Sequence, residues 1–110
     1  MQVHLIKERT ITDFIGTHAG SKAAFEQWIQ KLKWADWKEP GDIKATYNSA
    51  DLLGQSSNRV VFNIGGNNFR LIAKYSFGKK MAHLFVCWIG THAEYDKVCD
   101  KNEQYTISNY

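Results

Sequence analysis

The fold is decided by Arg59–Lys97, which reads RVVFNIGGNNFRLIAKYSFGKKMAHLFVCWIGTHAEYDK. Three segments rich in β-branched and aromatic residues are separated by two glycine-containing turns, which predicts consecutive antiparallel strands. We expect these strands over 59–64, 69–77 and 81–89, with Gly90 ending the last one. The third segment is apolar on both faces, as is typical of a strand in the middle of a sheet.

The second of these strands alternates between two kinds of side chain. Phe69 and every second residue after it are apolar, whereas Arg70, Lys74 and Ser76 occur on the opposite face with Ile72. Because successive side chains of a strand point to opposite faces, the apolar face should meet the core. We therefore expect Arg70 and Lys74 to face outward.

Upstream of the sheet the pattern is helical. Val3–Ile6 predicts a first strand, and Thr10–Gly16 a short helix. A second helix is expected from Thr17 or Ser21, ending near Trp34 to Trp37 because Pro40 disfavours helix at the residue before it. Its apolar stripe consists of Ala24, Phe25, Trp28, Ile29 and Leu32. The predicted fold class is α+β, with two N-terminal helices packed on one face of a small, mainly antiparallel sheet.

The remaining segments give weaker signals. Residues 42–47 fit either one helical turn or an irregular bridge, and 48–58 are polar enough for a surface loop. Residues 98–110 extend beyond the last motif as a tail. Nothing marks a domain boundary, so we expect a single domain over residues 1–110, a length that can bury a substantial core.

Composition excludes several classes of protein. Hydrophobic residues make up 44% of the chain, which argues against disorder, yet no apolar run is long enough to span a membrane. The N-terminus lacks the pattern of a signal peptide, so we expect a cytoplasmic protein without membrane attachment. The cysteines and the four histidines have no metal-ligand spacing, and we expect neither a metal site nor a cofactor.

Charge is concentrated in the middle of the chain. Residues 41–80 contain six basic and two acidic side chains, a local charge of +4 within a net charge of +3. Such an excess favours an anionic partner, although a solvated basic surface would have the same composition.

The run Thr91-His92-Ala93-Glu94-Tyr95 matches a capping box, with Thr91 as N-cap and Glu94 three residues later. His92 and Tyr95 should then lie on the same side of a helix whose N-terminus suits a phosphate. The pattern is common and weak by itself. Beside Arg70 and Lys74, however, it suits metal-free cleavage of a phosphodiester by the RNA 2′-hydroxyl.

Three spaced motifs together resemble the HigB family of type II toxins in the RelE superfamily. They are the segments 37–44 (WKEPGDIK), 59–71 (RVVFNIGGNNFRL) and 91–97 (THAEYDK). The resemblance implies a RelE-like fold and an mRNA interferase, an endoribonuclease that cuts mRNA on translating ribosomes. It also implies a HigA-type antitoxin with a helix-turn-helix domain, in a higher-order toxin–antitoxin complex.

The resemblance also implies roles for particular residues. The catalytic candidates are Arg70 and His92, followed by Tyr95 and Lys74. Lys44 and Arg59 are implied contacts of the RNA backbone. The division of acid and base roles among His92, Tyr95 and Lys74 stays open.

Two other functions fit the same expected fold. One is a non-catalytic toxin such as a ParE-like gyrase inhibitor, which has no need of a His and a Tyr beside outward cations. The other is an RNA-binding module without turnover, for which aromatic stacking platforms are expected on the open face. The outward face of the strand 69–77 presents Ile72 and Ser76 instead.

Overall fold

The protein is built on a five-stranded sheet, and a computed structural model describes residues 1–110. The strands are β1 (Gln2–Ile6), β2 (Asp51–Leu53), β3 (Arg59–Ile64), β4 (Phe69–Phe77) and β5 (Met81–Thr91), in the order β1-β5-β4-β3-β2. The helices are α1 (Glu8–Thr17), α2 (Lys22–Lys33), α3 (Gly41–Thr46) and α4 (His92–Asp100), with 3-10 turns at Ala19–Ser21 and Glu103–Tyr105. Only β1 and β5 pair in parallel. The predicted α+β class and mainly antiparallel sheet are confirmed.

The central position predicted for the third apolar segment is also confirmed, since β5 lies between β1 and β4. The prediction that Gly90 ends this strand is wrong, because Gly90 pairs with Arg70 and the strand continues to Thr91. A Cβ atom at position 90 would lie 2.5 Å from two ring carbons of Trp88. Gly90 therefore gives the indole of Trp88 room to lie against the strand.

Helices α1 and α2 cover one face of the sheet, which we call the first face. Phe25, Trp28 and Leu32 of α2 are buried there, as the apolar stripe predicted. The ring of Phe62 lies 5.1 Å from those of Trp28 and Tyr47, measured between centroids. The Tyr47 hydroxyl donates a 2.6 Å hydrogen bond to the Trp28 carbonyl, which ties the end of α3 to α2.

The opposite, second face has a smaller apolar cluster of Val61, Ile72, Cys87, Trp88 and Val98. Ile72 pairs with Trp88 but Ala73 pairs with Val86, so Cys87 is an extra residue in β5. Such a bulge lets two consecutive side chains reach one face. Val98 belongs to α4, which returns over this part of the sheet.

Residues 101–110, which we call the strap, cross the second face from β3 to β5. One guanidinium nitrogen of Arg59 donates to the carbonyls of Gln104 and Ile107, at 3.3 and 2.6 Å. Ile107 packs against the second-face cluster, and the Asn109 N–H donates to the Cys87 carbonyl at 2.9 Å. The expected tail is thus a docked segment.

Two further expectations differ from the structure, and one open alternative is settled. Helix α1 begins at Glu8 rather than Thr10, after Lys7 adopts a left-handed conformation with φ +69°. The loop expected over 48–58 contains the short strand β2, and residues 42–47 form the helical option, α3. No helix has the length and hydrophobicity that crossing a bilayer requires.

Candidate functional site

The start of α4 is fixed to the sheet by the predicted capping box. The Glu94 N–H donates to the Thr91 hydroxyl at 3.2 Å, and the Thr91 N–H donates to the Glu94 carboxylate at 2.8 Å. The His92 N–H donates to the Asn68 carbonyl in the β3–β4 turn at 3.1 Å. These bonds position His92 beside the first residues of β4, where Arg70 lies.

Arg70 lies on the second face, as predicted, but it does not face outward. It is 7% exposed, so that expectation is wrong: α4 returns over this end of the sheet. Its guanidinium donates to the Phe69 carbonyl at 3.1 Å and the Asn67 side-chain oxygen at 3.4 Å. It has no carboxylate within 4 Å, so its charge remains uncompensated.

His92 is the accessible member of this corner. Its side chain is 50% exposed, and its Nδ1 lies 3.8 Å from a carboxylate oxygen of Asp96, one helical turn later. This separation is longer than a hydrogen bond, and half of the imidazole surface is open to solvent.

Tyr95 lies between the exposed helix surface and the second-face cluster. Its ring centroid is 6.1 Å from that of Trp88. Burial raises the pKa of its hydroxyl far above the ordinary value, the Cys99 thiol and Asp51 add to the rise, and the charge of Arg70 opposes it. The phenol therefore keeps its proton at neutral pH and is not a base there.

The structure does not bring Lys74 and Arg59 to this corner. Lys74 is exposed, but the strap crosses the second face between it and Arg70. Arg59 is 7% exposed because its guanidinium is engaged by the strap carbonyls. Both residues instead line a separate cleft.

Lys44 is exposed on α3, whose Ile43 belongs to the first-face core. It therefore lies apart from the corner and from the cleft. Its role as an RNA-backbone contact stays a prediction.

Residues 21–98 match the HigB_toxin family, described as the RelE-like toxic component of a toxin–antitoxin system. The chain belongs to this family. It is similar to mRNA interferase HigB of Escherichia coli O6:H1 (strain CFT073), with 27% identity over 96 residues that cover 87% of this chain and 91% of that protein. The mRNA interferase toxin HigB of Escherichia coli K12 and mRNA interferase HigB of Shigella flexneri are each 27% identical over 94 residues, 86% of this chain and 88% of theirs.

The segment matched to the HigB family contains all six residues singled out in the sequence. It begins just before α2 and ends within α4, so that β1, α1 and the strap lie outside it. The cleft beside Lys74 is thus bordered partly by elements outside the matched segment, since Lys7 and Ser108 also line it.

Two residues of the corner were not predicted. Asp96 contacts His92, and Asn67 holds the Arg70 guanidinium. The spacing of His92 and Asp96, four residues apart on a predicted helix, could have identified Asp96. Asn67 lies in a turn whose two glycines both have φ +67°, and no periodicity indicates where its side chain points.

Proposed function

We propose that the protein is an mRNA interferase, an endoribonuclease that cleaves mRNA on translating ribosomes without a metal ion. The observation that supports this most directly is the corner of Arg70, His92 and Tyr95. It combines an accessible imidazole, a protonated phenol and an uncompensated guanidinium. Three similar proteins carry the name mRNA interferase, which supports the same reaction.

The proposed reaction uses each group once. His92 accepts the proton of the ribose 2′-hydroxyl. The 2′-oxygen then attacks phosphorus, the bond from phosphorus to the 5′-oxygen breaks, and Tyr95 donates its proton to that oxygen. Arg70 stabilises the charge that develops on the phosphorane. The products are a 2′,3′-cyclic phosphate and a 5′-hydroxyl end.

His92 is assigned as the base and Tyr95 as the acid because of their surroundings. Burial keeps the Tyr95 phenol protonated, which excludes it as a base at neutral pH. The His92 side chain is half exposed, so its imidazole is open to the RNA.

The test is mRNA cleavage by purified protein on ribosomes with a defined codon in the A site. His92→Ala should lower the cleavage rate by about 100- to 10,000-fold, the usual contribution of a general acid or base. The control is His18→Ala, since His18 stacks on Phe14 beside the first-face core. Unimpaired cleavage by His92→Ala would refute the assignment.

The same purified protein, assayed for inhibition of DNA gyrase, distinguishes the interferase from the alternative function. A ParE-like gyrase inhibitor would block DNA supercoiling and leave mRNA intact. Cleaved mRNA with normal supercoiling supports the interferase, and the reverse result excludes it.

We further propose a HigA-type helix-turn-helix antitoxin as the cytoplasmic partner, in a higher-order complex. The family description, which places these toxins in toxin–antitoxin systems, supports an antitoxin. Co-expression should yield a stable complex in which mRNA cleavage is suppressed. Its mass, measured by light scattering, would give the stoichiometry.

A further inference from the structure

A second cleft lies on the second face, on the other side of the strap from Arg70. It has a volume of about 460 Å³, within the usual range for ligand sites. Phe85, half-buried in β5, lies among its lining residues, and Ser76 and Ser108 contribute hydroxyls. Three cations also line it: Lys7, Arg59 and Lys74.

The sheet holds these residues in a fixed row. Ile6 pairs with Phe85, Phe85 with Lys74, and Lys74 with Arg59, so one rung crosses four strands. Neighbouring strands lie about 4.8 Å apart, which places the cations around the ring at a spacing set by the backbone. Lys7 directly follows Ile6 and extends the row.

None of the three cations has a carboxylate partner. The ion pairs of the molecule are those of the Met1 amine with Asp36, Lys22 with Glu26 and His92 with Asp96. No acidic residue lines the cleft. The charges of Lys7 and Lys74, whose side chains are exposed, are therefore available to an anion.

Lys7 adds an independent observation. It has φ +69°, a left-handed conformation that is unfavourable for a residue with a Cβ. Glycine or asparagine would adopt it more easily. A lysine at a strained position beside two other cations is consistent with a use for its charge.

We propose that this cleft binds single-stranded RNA, with a base stacked on Phe85 and the adjoining phosphates on Lys7 and Lys74. Unpaired cations around an accessible aromatic ring are the usual means of binding single-stranded nucleic acid. The aromatic platform absent from β4 is supplied by its neighbour β5. The inference rests on the proposed function, and adds to the cleavage corner a separate surface that holds the RNA.

The ring decides between RNA and an acidic peptide. A peptide carboxylate needs the cations alone, whereas a nucleotide uses the cations and the ring together. The two ligands therefore respond differently to loss of the ring, and the experiment includes that change.

Binding is measured by fluorescence anisotropy with a labelled 2′-O-methyl RNA, which lacks the attacking hydroxyl and cannot be cleaved by it. The double variant Lys7→Asn, Lys74→Gln removes two charges, and asparagine tolerates the backbone at position 7. The slope of log affinity against log salt should become shallower by about 1.4, or about 0.7 for each phosphate that is no longer neutralised. Phe85→Leu should weaken binding by about tenfold and leave the slope unchanged.

The matched control is Lys22→Gln, Lys33→Gln, which removes the same charge from α2 on the other side of the sheet. Its affinity and slope should equal those of the unmodified protein. Equal losses in both double variants would overturn the proposal, since the effect would then be one of net charge. Unchanged affinity of Phe85→Leu for both the oligonucleotide and vacant ribosomes would also overturn it and favour an acidic peptide.

Two further arms identify the source of the RNA and separate the two proposals. If the cleft variants lose binding to the free oligonucleotide, the RNA held in the cleft is mRNA. If they lose binding only to vacant ribosomes, it is an unpaired segment of ribosomal RNA. Either result supports the cleft. If the unmodified protein cleaves mRNA but the cleft variants bind both the oligonucleotide and vacant ribosomes normally, the cleft is refuted and the proposed function stands. If the unmodified protein neither binds nor cleaves RNA, both fail.

Discussion

The first and second faces of the sheet are both covered, but by different means. On the first face, α1 and α2 bury a continuous apolar core of rings and branched side chains. On the second face, α4 and the strap cover a small apolar cluster and two buried arginines, Arg59 and Arg70. The difference separates two tasks: the first face stabilises the fold, and the second positions charge.

The largest effect on stability is expected on the first face. Phe62→Ala removes a ring that is 1% exposed and lies 5.1 Å from two other rings. It should lower the free energy of unfolding by about 3–5 kcal/mol, measured by urea denaturation. For comparison, Ile72→Val on the second face should cost about 0.5–1.5 kcal/mol. A loss below about 2 kcal/mol in Phe62→Ala would contradict the place of this ring in the first-face core.

A smaller loss of stability, coupled to function, is expected at Gly90. In Gly90→Ala the new methyl group would collide with the Trp88 ring, which must shift toward α4. Such overpacking costs about 1–3 kcal/mol, and it should also slow mRNA cleavage, because the Trp88 ring adjoins Tyr95. Gly54→Ala is the control for position, since a Cβ there meets nothing within 4 Å. A destabilised Gly90→Ala that cleaves at the normal rate would show that the Trp88 ring does not position the corner.

The smallest effect concerns alkaline pH. Burial raises the pKa of Tyr95 in the folded state, so the folded protein keeps this proton when the unfolded chain loses it near pH 10. Stability should therefore be constant with respect to this group below pH 10 and fall as the pH rises above it. Tyr95→Phe should make the decline shallower in denaturation experiments at about pH 9 to 11. Part of it should persist, because burial also raises the pKa of Tyr47 on the first face.

The first face could be predicted almost entirely from the sequence. The stripe of Phe25, Trp28 and Leu32 and the alternation in β4 are periodic signals, and periodicity indicates which side chains share a face. The start of α1 was missed because Lys7 adopts a conformation that lysine seldom does. Strand β2 was missed because Asp51–Leu53 is too short to show alternation.

The second face could be predicted only in part. The capping box correctly gave the start of α4, because its two hydrogen bonds are local. The burial of Arg70 and Arg59 could not be foreseen, since it depends on how α4 and the strap return over the sheet. The strap is held largely by backbone carbonyls and one backbone N–H, groups that every sequence possesses.

The parallel pairing of β1 with β5 has a consequence for the order in which the protein is made. Gln2 pairs with Met81 and Ile6 with Phe85, so the first strand to be synthesised must wait for the last. Because a chain emerges from its N-terminus and distant contacts form slowly, the sheet cannot close while β5 is still being assembled. Helix α1 contacts β5, so this part of its packing also waits until β5 has emerged. The fold is therefore still incomplete while the chain is attached to the ribosome that synthesises β5.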